Sequence, residues 1–278
     1  MKKITRRSFL AAAGLTAAAL ALTACGGSSS STASSTASSA ASSEAASSSA
    51  AAELTTVEAG KLTMATNATF PPYEMTTDTG AFEGIDVDTA QAIAEKLGLE
   101  LQIDDMEFDA ALLSVQQGKA DIVMAGVTVT DERKAVMDFS DSYATGIQSI
   151  IVPEDSDIAT PDDLAGKKIG TQRGTTGYIY CSDDFGDENV VAYDSGLTAV
   201  QALNNGQVDA VVIDNAPAQE YVAANPGLVV LDTSYAEEDY AIGMAKGSAL
   251  EDAINAALEE LKADGTLQSI VDKYITAE

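Results

Sequence analysis

Two charged side chains have the chemistry or the placement of functional residues. Arg133 presents a planar guanidinium that matches the two oxygens of a carboxylate. Its neighbours Asp131 and Glu132 are also charged, so Arg133 could instead be an ordinary solvent-exposed residue of a helix. Asp214 ends the apolar run Val211–Ile213, an unusual place for a surface charge. Its carboxylate could be functional or could be the N-cap of the helix that follows. The residues alone favour a solvated helix residue for Arg133 and leave both alternatives open for Asp214.

A third candidate is the glycine-rich segment Gly170–Gly177, which lies between a predicted strand and a predicted helix. Free N–H groups at the N-terminus of a helix suit an anion. The segment contains no Gly-Lys-Ser/Thr, so it is not a nucleotide-binding P-loop.

Composition excludes several classes of function. No histidine occurs in 278 residues, which rules out Ser-His-Asp and Cys-His nucleophiles and imidazole metal sites. The formal net charge of −28 argues against nucleic acid as a partner, because phosphate binding depends on clustered Lys and Arg. Carboxylates such as Glu107, Asp109 and Asp214 could still form an acid–base pair, so a carboxylate-based enzyme (a dehydratase or lyase) stays an alternative. We expect no metal and no cofactor.

Short apolar runs and helical patterns alternate from about residue 55, which predicts α/β layers around mostly parallel sheets. The predicted strands are 61–66, 99–103, 120–125, 147–152, 168–171, 190–193, 208–213, 228–231 and 240–245. The predicted helices are 86–97, 109–117, one near Thr176, 197–204, 216–223, 249–261 and 267–274.

One supersecondary unit occurs twice and predicts two similar lobes. Ala110–Val123 and Leu197–Val211 both run through a helix, a glycine, an aspartate three residues later and a strand. The glycines, Gly118 and Gly206, fall at helix C′ positions, where a positive φ is wanted. We expect lobe 1 to comprise 55–147 plus 245–278 and lobe 2 to comprise 152–240. Hinge strands are expected near 147–152 and 240–245.

The N-terminus has the pattern of an export signal, residues 1–24, in which a basic start precedes an apolar run that is short for a bilayer span. The pair Arg6-Arg7 fits a general secretory signal and a twin-arginine signal equally. The end of the signal, Leu22–Cys25, resembles the bacterial lipoprotein box. That resemblance implies cleavage before Cys25 and lipidation of Cys25 by acyl chains such as palmitate. Cys181 would then have no disulfide partner, and we expect it to be a small buried side chain.

Residues 25–54 are predicted to be a flexible tether behind the lipidated cysteine. Residues 26–53 include 13 serines and 9 alanines and show no apolar periodicity. A random coil of this length reaches about 30 Å. The tether would hold a globular domain near the membrane and leave it free to turn.

Four motifs resemble those of a known family: Ala65–Glu74, Phe82–Asp88, Ala125–Arg133 and Asp138–Tyr143. They are similar to motifs of the polar amino acid-binding proteins of bacterial ABC importers, the extracellular solute-binding proteins of family 3. The similarity extends from Leu62 to Ile275. It implies a two-lobed periplasmic-binding-protein fold of type II, with a cleft that closes on a free amino acid.

The resemblance also implies roles for individual residues. Arg133 would bind the α-carboxylate, helped by backbone N–H groups near Thr175 and Thr176. The α-ammonium would be bound by the Gly126 carbonyl, the Thr128 hydroxyl and the Asp214 carboxylate.

The rest of the pocket would set specificity. The family's positions correspond here to Asn67, Phe70, Phe108 and Gln172, with Tyr143 as a further candidate, and the two phenylalanines would sandwich the ligand side chain. Cation-binding relatives often have aspartate at the position of Asn67. Because asparagine cannot neutralise a cation, we expect a neutral polar amino acid such as glutamine.

The implied protein is not an enzyme but a monomeric binding protein on the outer face of the cell membrane. It would be anchored by lipid alone and would work with an ABC permease and its ATPase on separate chains. Two further alternatives are a sensory receptor domain, which needs a membrane span and a signalling module, and a structural cell-surface protein. In the latter, the presence of both Arg133 and Asp214 would be accidental.

Overall fold

A computed structural model of the chain describes residues 54–275. The predicted signal peptide, Cys25 and nearly all of the predicted tether lie outside the described residues. In the described range the strands are β1 (Lys61–Thr66), β2 (Thr69–Phe70), β3 (Glu74–Thr76), β4 (Phe82–Glu83), β5 (Glu100–Asp105), β6 (Ile122–Val123), β7 (Met137–Phe139), β8 (Ala144–Pro153), β9 (Ile169–Gln172), β10 (Val190–Tyr193), β11 (Ala210–Asp214), β12 (Leu228–Val230), β13 (Ala236–Tyr240) and β14 (Gly243–Ala245).

The α-helices of the same range are α1 (Ile85–Leu97), α2 (Phe108–Gln116), α3 (Asp131–Lys134), α4 (Thr176–Phe185), α5 (Gly196–Asn204), α6 (Asn215–Ala224), α7 (Glu251–Ala263) and α8 (Thr266–Tyr274). All except α3 agree with the predicted helices. The short α3 was not predicted, because four residues cannot display an apolar period. None of these helices has the length and the apolar character that crossing a membrane requires.

Two mixed sheets form the centres of two lobes. The first has the strand order β5-β1-β6-β14-β7, and the second has the order β10-β9-β11-β8-β12, with β13 also pairing with β8. The strands β5, β1 and β6 are parallel, as are β10, β9 and β11. Strands β14 and β8 are antiparallel to their neighbours. Alternation with helices predicted mostly parallel sheets, but β14 and β8 each enter from the other lobe without a helical crossover.

Each lobe contains the same unit, β1-α1-β5-α2-β6 in the first and β9-α4-β10-α5-β11 in the second. Gly118 and Gly206 follow α2 and α5 with a φ of +65°, as expected for C′ glycines. Asp121 and Asp209 each accept a 2.7 Å hydrogen bond from a backbone N–H near the start of the neighbouring parallel strand. The repeated Gly-x-x-Asp therefore ends a helix and positions the next strand in both lobes.

The chain crosses between the lobes at places that correct the predicted boundaries. All of β8 belongs to the second sheet, so the first crossing lies between β7 and β8, before the predicted 147–152. The single strand predicted over 240–245 is two strands in different sheets, because β13 joins the second and β14 joins the first. The apolar runs were recognised correctly, but an apolar run does not specify which sheet it joins.

An aromatic contact fills the space between the lobes. Tyr240, at the end of β13, is fully buried and packs edge to face on Tyr73, with ring centroids 5.3 Å apart. In β8, a Cβ at Gly146 would lie 2.5 Å from the Tyr240 ring, so only glycine fits there. The second crossing strand is thereby fixed against both lobes.

Cys181 is the expected small buried side chain. It lies in the apolar core of the second lobe and is free. Burial raises the pKa of the Cys181 thiol to about 12, which keeps it protonated and unreactive at neutral pH.

Candidate ligand-binding site

A small cavity lies where the carboxyl ends of parallel strands from both lobes meet. Asn67 follows β1, Gln172 ends β9 and Asp214 ends β11. Ligands of open α/β sheets bind at such strand ends. The lining residues are Asn67, Phe70, Glu74, Phe108, Ala125, Gly126, Thr128 and Arg133 from the first lobe and Gln172, Thr175, Thr176 and Asp214 from the second.

All ten residues that the sequence placed in a ligand site line this cavity, and their roles in binding stay predictions. The tertiary structure adds Glu74 and Ala125, which were not predicted. Tyr143 does not line the cavity, because its hydroxyl donates a 2.7 Å hydrogen bond to the buried Asp86.

Arg133 brings a buried positive charge to the cavity. The N-cap of α3, Thr130, accepts a hydrogen bond from the Arg133 backbone N–H, and the side chain is only 8% exposed. Its Nη1 donates to the Thr128 carbonyl at 2.7 Å, and its Nη2 donates across the cleft to the Gly174 carbonyl at 3.2 Å. The guanidinium also lies 5.4 Å from the centre of the Phe108 ring. Since a guanidinium has five N–H donors, donors remain for a carboxylate.

Asp214 brings a negative charge from the second lobe. It occupies the N-cap position of α6, but its side chain makes no capping hydrogen bond. Its carboxylate instead accepts hydrogen bonds from Gln148 Nε2, at 2.8 Å, and from the Tyr240 hydroxyl. Burial raises the pKa of Asp214 to about 7, and the nearby charge of Glu238 adds to this rise. The carboxylate is therefore held in a setting where a cation would stabilise its charged form.

Glu74 brings a second acid to the cavity, this time from the first lobe. It is 1% exposed, and among residues 54–275 no N–H or hydroxyl group donates a hydrogen bond to its carboxyl oxygens; the neighbouring acid is Asp86, with which its carboxyl group shares a hydrogen bond. Burial raises the pKa of Glu74 well above its usual range, and the charge of Asp86 contributes. Glu74 belongs to the Ala65–Glu74 motif, but no local sequence pattern distinguishes a buried glutamate from an exposed one.

Gly126 allows a close approach of the chain to the aromatic wall of the cavity. Its φ is +54°, and a Cβ would lie 2.9 Å from Cε1 of Phe70. Its N–H donates a 2.9 Å hydrogen bond to Asp86 Oδ2, which fixes the backbone at this point. A larger residue would displace either the loop or the Phe70 ring.

The start of α4 lies at the cavity, as the glycine-rich turn predicted. Thr175 is the N-cap and accepts a hydrogen bond from the backbone N–H of Tyr178. The buried Thr176 hydroxyl lies 3.4 Å from the Thr128 hydroxyl on the other lobe. A helix N-terminus offers partial positive charge and free N–H groups, which suit an anion.

The three carboxylates considered for an enzyme do not lie together in the cavity. Glu107 and Asp109 are exposed and line a separate depression with Arg173 and Asp194, whereas Asp214 lines the cavity. In the described part of the chain, no group of three or more acidic or cysteine side chains is arranged to hold a metal ion.

Comparisons with known proteins agree with this architecture. Residues 62–277 match the model of the bacterial extracellular solute-binding proteins, family 3. The L-cystine-binding protein TcyJ of Escherichia coli strain K12 is 33% identical over 225 residues, which cover 80% of this chain and 85% of the relative.

Two solved structures are similar over the same part of the chain. The arginine-, lysine-, histidine-binding protein ArtJ of Geobacillus stearothermophilus has a TM-score of 0.75 and 34% identity, covering 78% of this chain and 96% of that chain. An ancestral arginine-binding protein bound to glutamine has a TM-score of 0.75 and 41% identity, and the match covers 78% of this chain and 99% of that chain.

The family match and the two-lobed fold together assign the chain to a class. The matched proteins are binding proteins of transporters, so the chain is a solute-binding protein and not an enzyme. By the extent of the family match, the chain belongs to the bacterial extracellular solute-binding proteins of family 3.

Proposed function

We propose that the protein captures a free amino acid in the cavity and delivers it to the permease of an ABC importer, whose ATPase is a separate chain. One observation carries this proposal: the cavity holds a buried guanidinium from Arg133 in one lobe and a buried carboxylate from Asp214 in the other. The α-carboxylate and α-ammonium of an amino acid complement these two charges. The ligands of the similar proteins described above are amino acids, which supports the same ligand class.

The ligand's backbone would be bound by groups from both lobes. Arg133 would form a bidentate pair with the α-carboxylate, and the N–H groups at the start of α4, near Thr175 and Thr176, would complete that site. Asp214, the Thr128 hydroxyl and the Gly126 carbonyl would bind the α-ammonium.

The ligand side chain is best matched by a cation, which departs from the neutral polar ligand that the sequence favoured. Glu74 lines the cavity, and no N–H or hydroxyl donor among the described residues bonds to its carboxyl group, whose neighbour is the acid Asp86. A guanidinium or ammonium would pair with this carboxylate and remove the cost of its burial. Phe70 and Phe108 would pack on the faces of a planar guanidinium. Two arginine-binding structural neighbours support this choice.

A neutral polar amino acid such as glutamine is the second candidate. Asn67 and Gln172 both line the cavity, and their amides can exchange hydrogen bonds with a ligand amide. The ancestral arginine-binding neighbour was solved with glutamine bound, which supports tolerance of such a ligand in this fold. With this ligand Glu74 would stay protonated.

Ligand binding would close the two lobes around the crossing segments between β7 and β8 and between β13 and β14. A zwitterion that contacts Arg133 and Asp214 together binds the closed state more tightly than the open one. We further propose that the protein is a monomer and is held at the extracytoplasmic face of the cell membrane by lipid on Cys25.

The test is calorimetric titration of the purified protein with each of the twenty amino acids, together with mass spectrometry of any ligand that co-purifies. We expect L-arginine to bind most tightly. A preference for L-glutamine would select the second candidate. A protein that binds no amino acid would contradict the proposal.

A further inference from the structure

A buried glutamate lies directly behind the ammonium end of the cavity and does not itself line it. Glu238, in β13, is 6% exposed. Its Oε2 accepts a 3.0 Å hydrogen bond from the Thr128 hydroxyl of the first lobe and a 3.0 Å hydrogen bond from Gln148 Nε2 of the second. The same Gln148 nitrogen donates to Asp214 Oδ2 at 2.8 Å. Glu238 thus touches one residue of the proposed ammonium site and is linked to another through a shared amide.

The first consequence concerns the direction of the Thr128 hydrogen bonds. A hydroxyl has one proton to donate, and the 3.0 Å hydrogen bond runs from the Thr128 hydroxyl to Glu238 Oε2, so the Thr128 proton points at Glu238. The contact of 3.4 Å between the Thr128 and Thr176 hydroxyls must then have Thr176 as its donor. Towards a ligand, the Thr128 oxygen can act only as an acceptor. It therefore suits an ammonium group and not a carbonyl or carboxylate oxygen.

The second consequence is electrostatic. Glu238 and Asp214 place two buried carboxyl groups around a single amide, and one buried cation, Arg133, lies near both of them. When the carboxylate of a ligand pairs with Arg133, the two carboxyl groups need a second cation. Two like charges in a site of low dielectric favour a cation between or beside them. The α-ammonium of a ligand supplies that cation.

We propose that Glu238 is a positioning residue of the ammonium site, which fixes Thr128 as an acceptor and adds a second buried negative charge to that of Asp214. This inference rests on the proposed function. It implies that Glu238 selects for the α-ammonium group itself, whatever side chain the ligand carries.

The experiment compares ligands that differ only in the α-ammonium. L-arginine and 5-guanidinopentanoate, its des-amino analogue, are titrated into the parent protein and the Glu238→Gln variant, which keeps the shape and one acceptor but removes the charge. We expect the variant to lose about tenfold or more in affinity for L-arginine and less than about threefold for the analogue. The matched control is Glu237→Gln, at the exposed neighbour on the same strand, and it should leave the affinities for both ligands unchanged.

A double-mutant cycle with Thr128→Ala gives a second readout that needs L-arginine alone. The cycle uses Glu238→Ala, which also removes the acceptor of the Thr128 hydrogen bond. If Glu238 acts through Thr128, the effect of Glu238→Ala should shrink when the Thr128 hydroxyl is absent. Equal losses for both ligands, or additive effects in the cycle, would show a merely structural role and overturn the inference. An unchanged affinity of Glu238→Gln for L-arginine would also overturn the inference. A parent protein that binds no amino acid would instead remove the proposed function, and this inference with it.

Discussion

Gln172 and Asn67 are joined across the cleft by a hydrogen bond of 2.8 Å, from Gln172 Nε2 to Asn67 Oδ1. The bond links the end of β9 in the second lobe to the end of β1 in the first. Asn67 Nδ2 in turn donates to the Met106 carbonyl at 2.9 Å. The two amides expected to bind a polar side chain are therefore already joined by one hydrogen bond, and Glu74 is the acidic group that remains for the far end of a cationic ligand.

Arg133→Ala should weaken amino acid binding by roughly 10²- to 10³-fold or more. Removing one side of a buried ion pair costs about 3–5 kcal/mol, and about 1.4 kcal/mol corresponds to one decade in affinity. Calorimetric titration measures the effect. Arg133→Lys should also bind poorly, because an ammonium cannot form the bidentate pair.

The matched control for Arg133 is Lys134→Ala, which removes an exposed charge one residue along α3 and should be nearly neutral. Arg133 also donates to two backbone carbonyls, so a lower melting temperature is expected for Arg133→Ala and must be measured beside the affinity. Equal effects at positions 133 and 134 would argue against a carboxylate site.

Glu74→Gln should reduce the affinity for L-arginine by about tenfold or more and leave L-glutamine nearly unchanged, because only the cationic ligand needs the charge. The raised pKa of Glu74 also predicts that L-arginine binding releases a proton at neutral pH. Titration in buffers of different ionisation enthalpy should show more proton release with L-arginine than with L-glutamine. The difference should vanish in Glu74→Gln and persist in Glu132→Gln, an exposed control.

The ligand-free protein should become less stable as the pH rises from about 4 to about 7. Burial raises the pKa of Asp214 to about 7 and that of Asp86 to about 6, against ordinary values of 3.8, so the folded state binds more protons than the unfolded state in this window. Each group then lowers the free energy of unfolding by at most about 1.4 kcal/mol per pH unit. Thermal unfolding across pH checks this. Asp214→Asn should weaken the dependence of stability on pH. A stability that rises with pH between about 4 and 7 would contradict the raised pKa values of Asp214 and Asp86.

Saturating ligand should reduce the radius of gyration in small-angle scattering, as two lobes closing around a cleft require. The Tyr221 hydroxyl donates to the Thr69 carbonyl across the cleft. Tyr221→Phe removes this contact between lobes and should favour the open state without ligand. Tyr235→Phe, which removes a bond to Asp184 within the second lobe, is the control. An unchanged radius on tight binding would exclude closure.

Cys25→Ser should release the protein from the membrane or leave an uncleaved precursor. The reason is the Leu22-Thr23-Ala24-Cys25 sequence after the signal core, which a lipoprotein-processing pathway would recognise. Fractionation of cells and the mass of the mature N-terminus measure the outcome. Normal processing together with normal membrane retention would contradict lipid attachment at this residue.

Local patterns in the sequence determined most elements and the residues around the cavity. The positions of α1, α2 and α4–α8 followed from an apolar period and from terminal glycines such as Gly98 and Gly118, because helices form from contacts three or four residues apart. The resemblance to the family located ten cavity residues in advance, five of them within its four motifs. Motifs do this because strand ends and the turns after them carry the site in this kind of sheet.

Only the tertiary structure decided which sheet each crossing strand joins and which acids are buried. The pairing of β13 with β8 brings together residues about ninety positions apart, and no local period encodes it. Glu237 and Glu238 are adjacent and chemically identical, yet the first is exposed and the second lies behind the cavity. The physical reason is that alternate residues of a strand face opposite sides, and long-range packing alone determines which side becomes the interior.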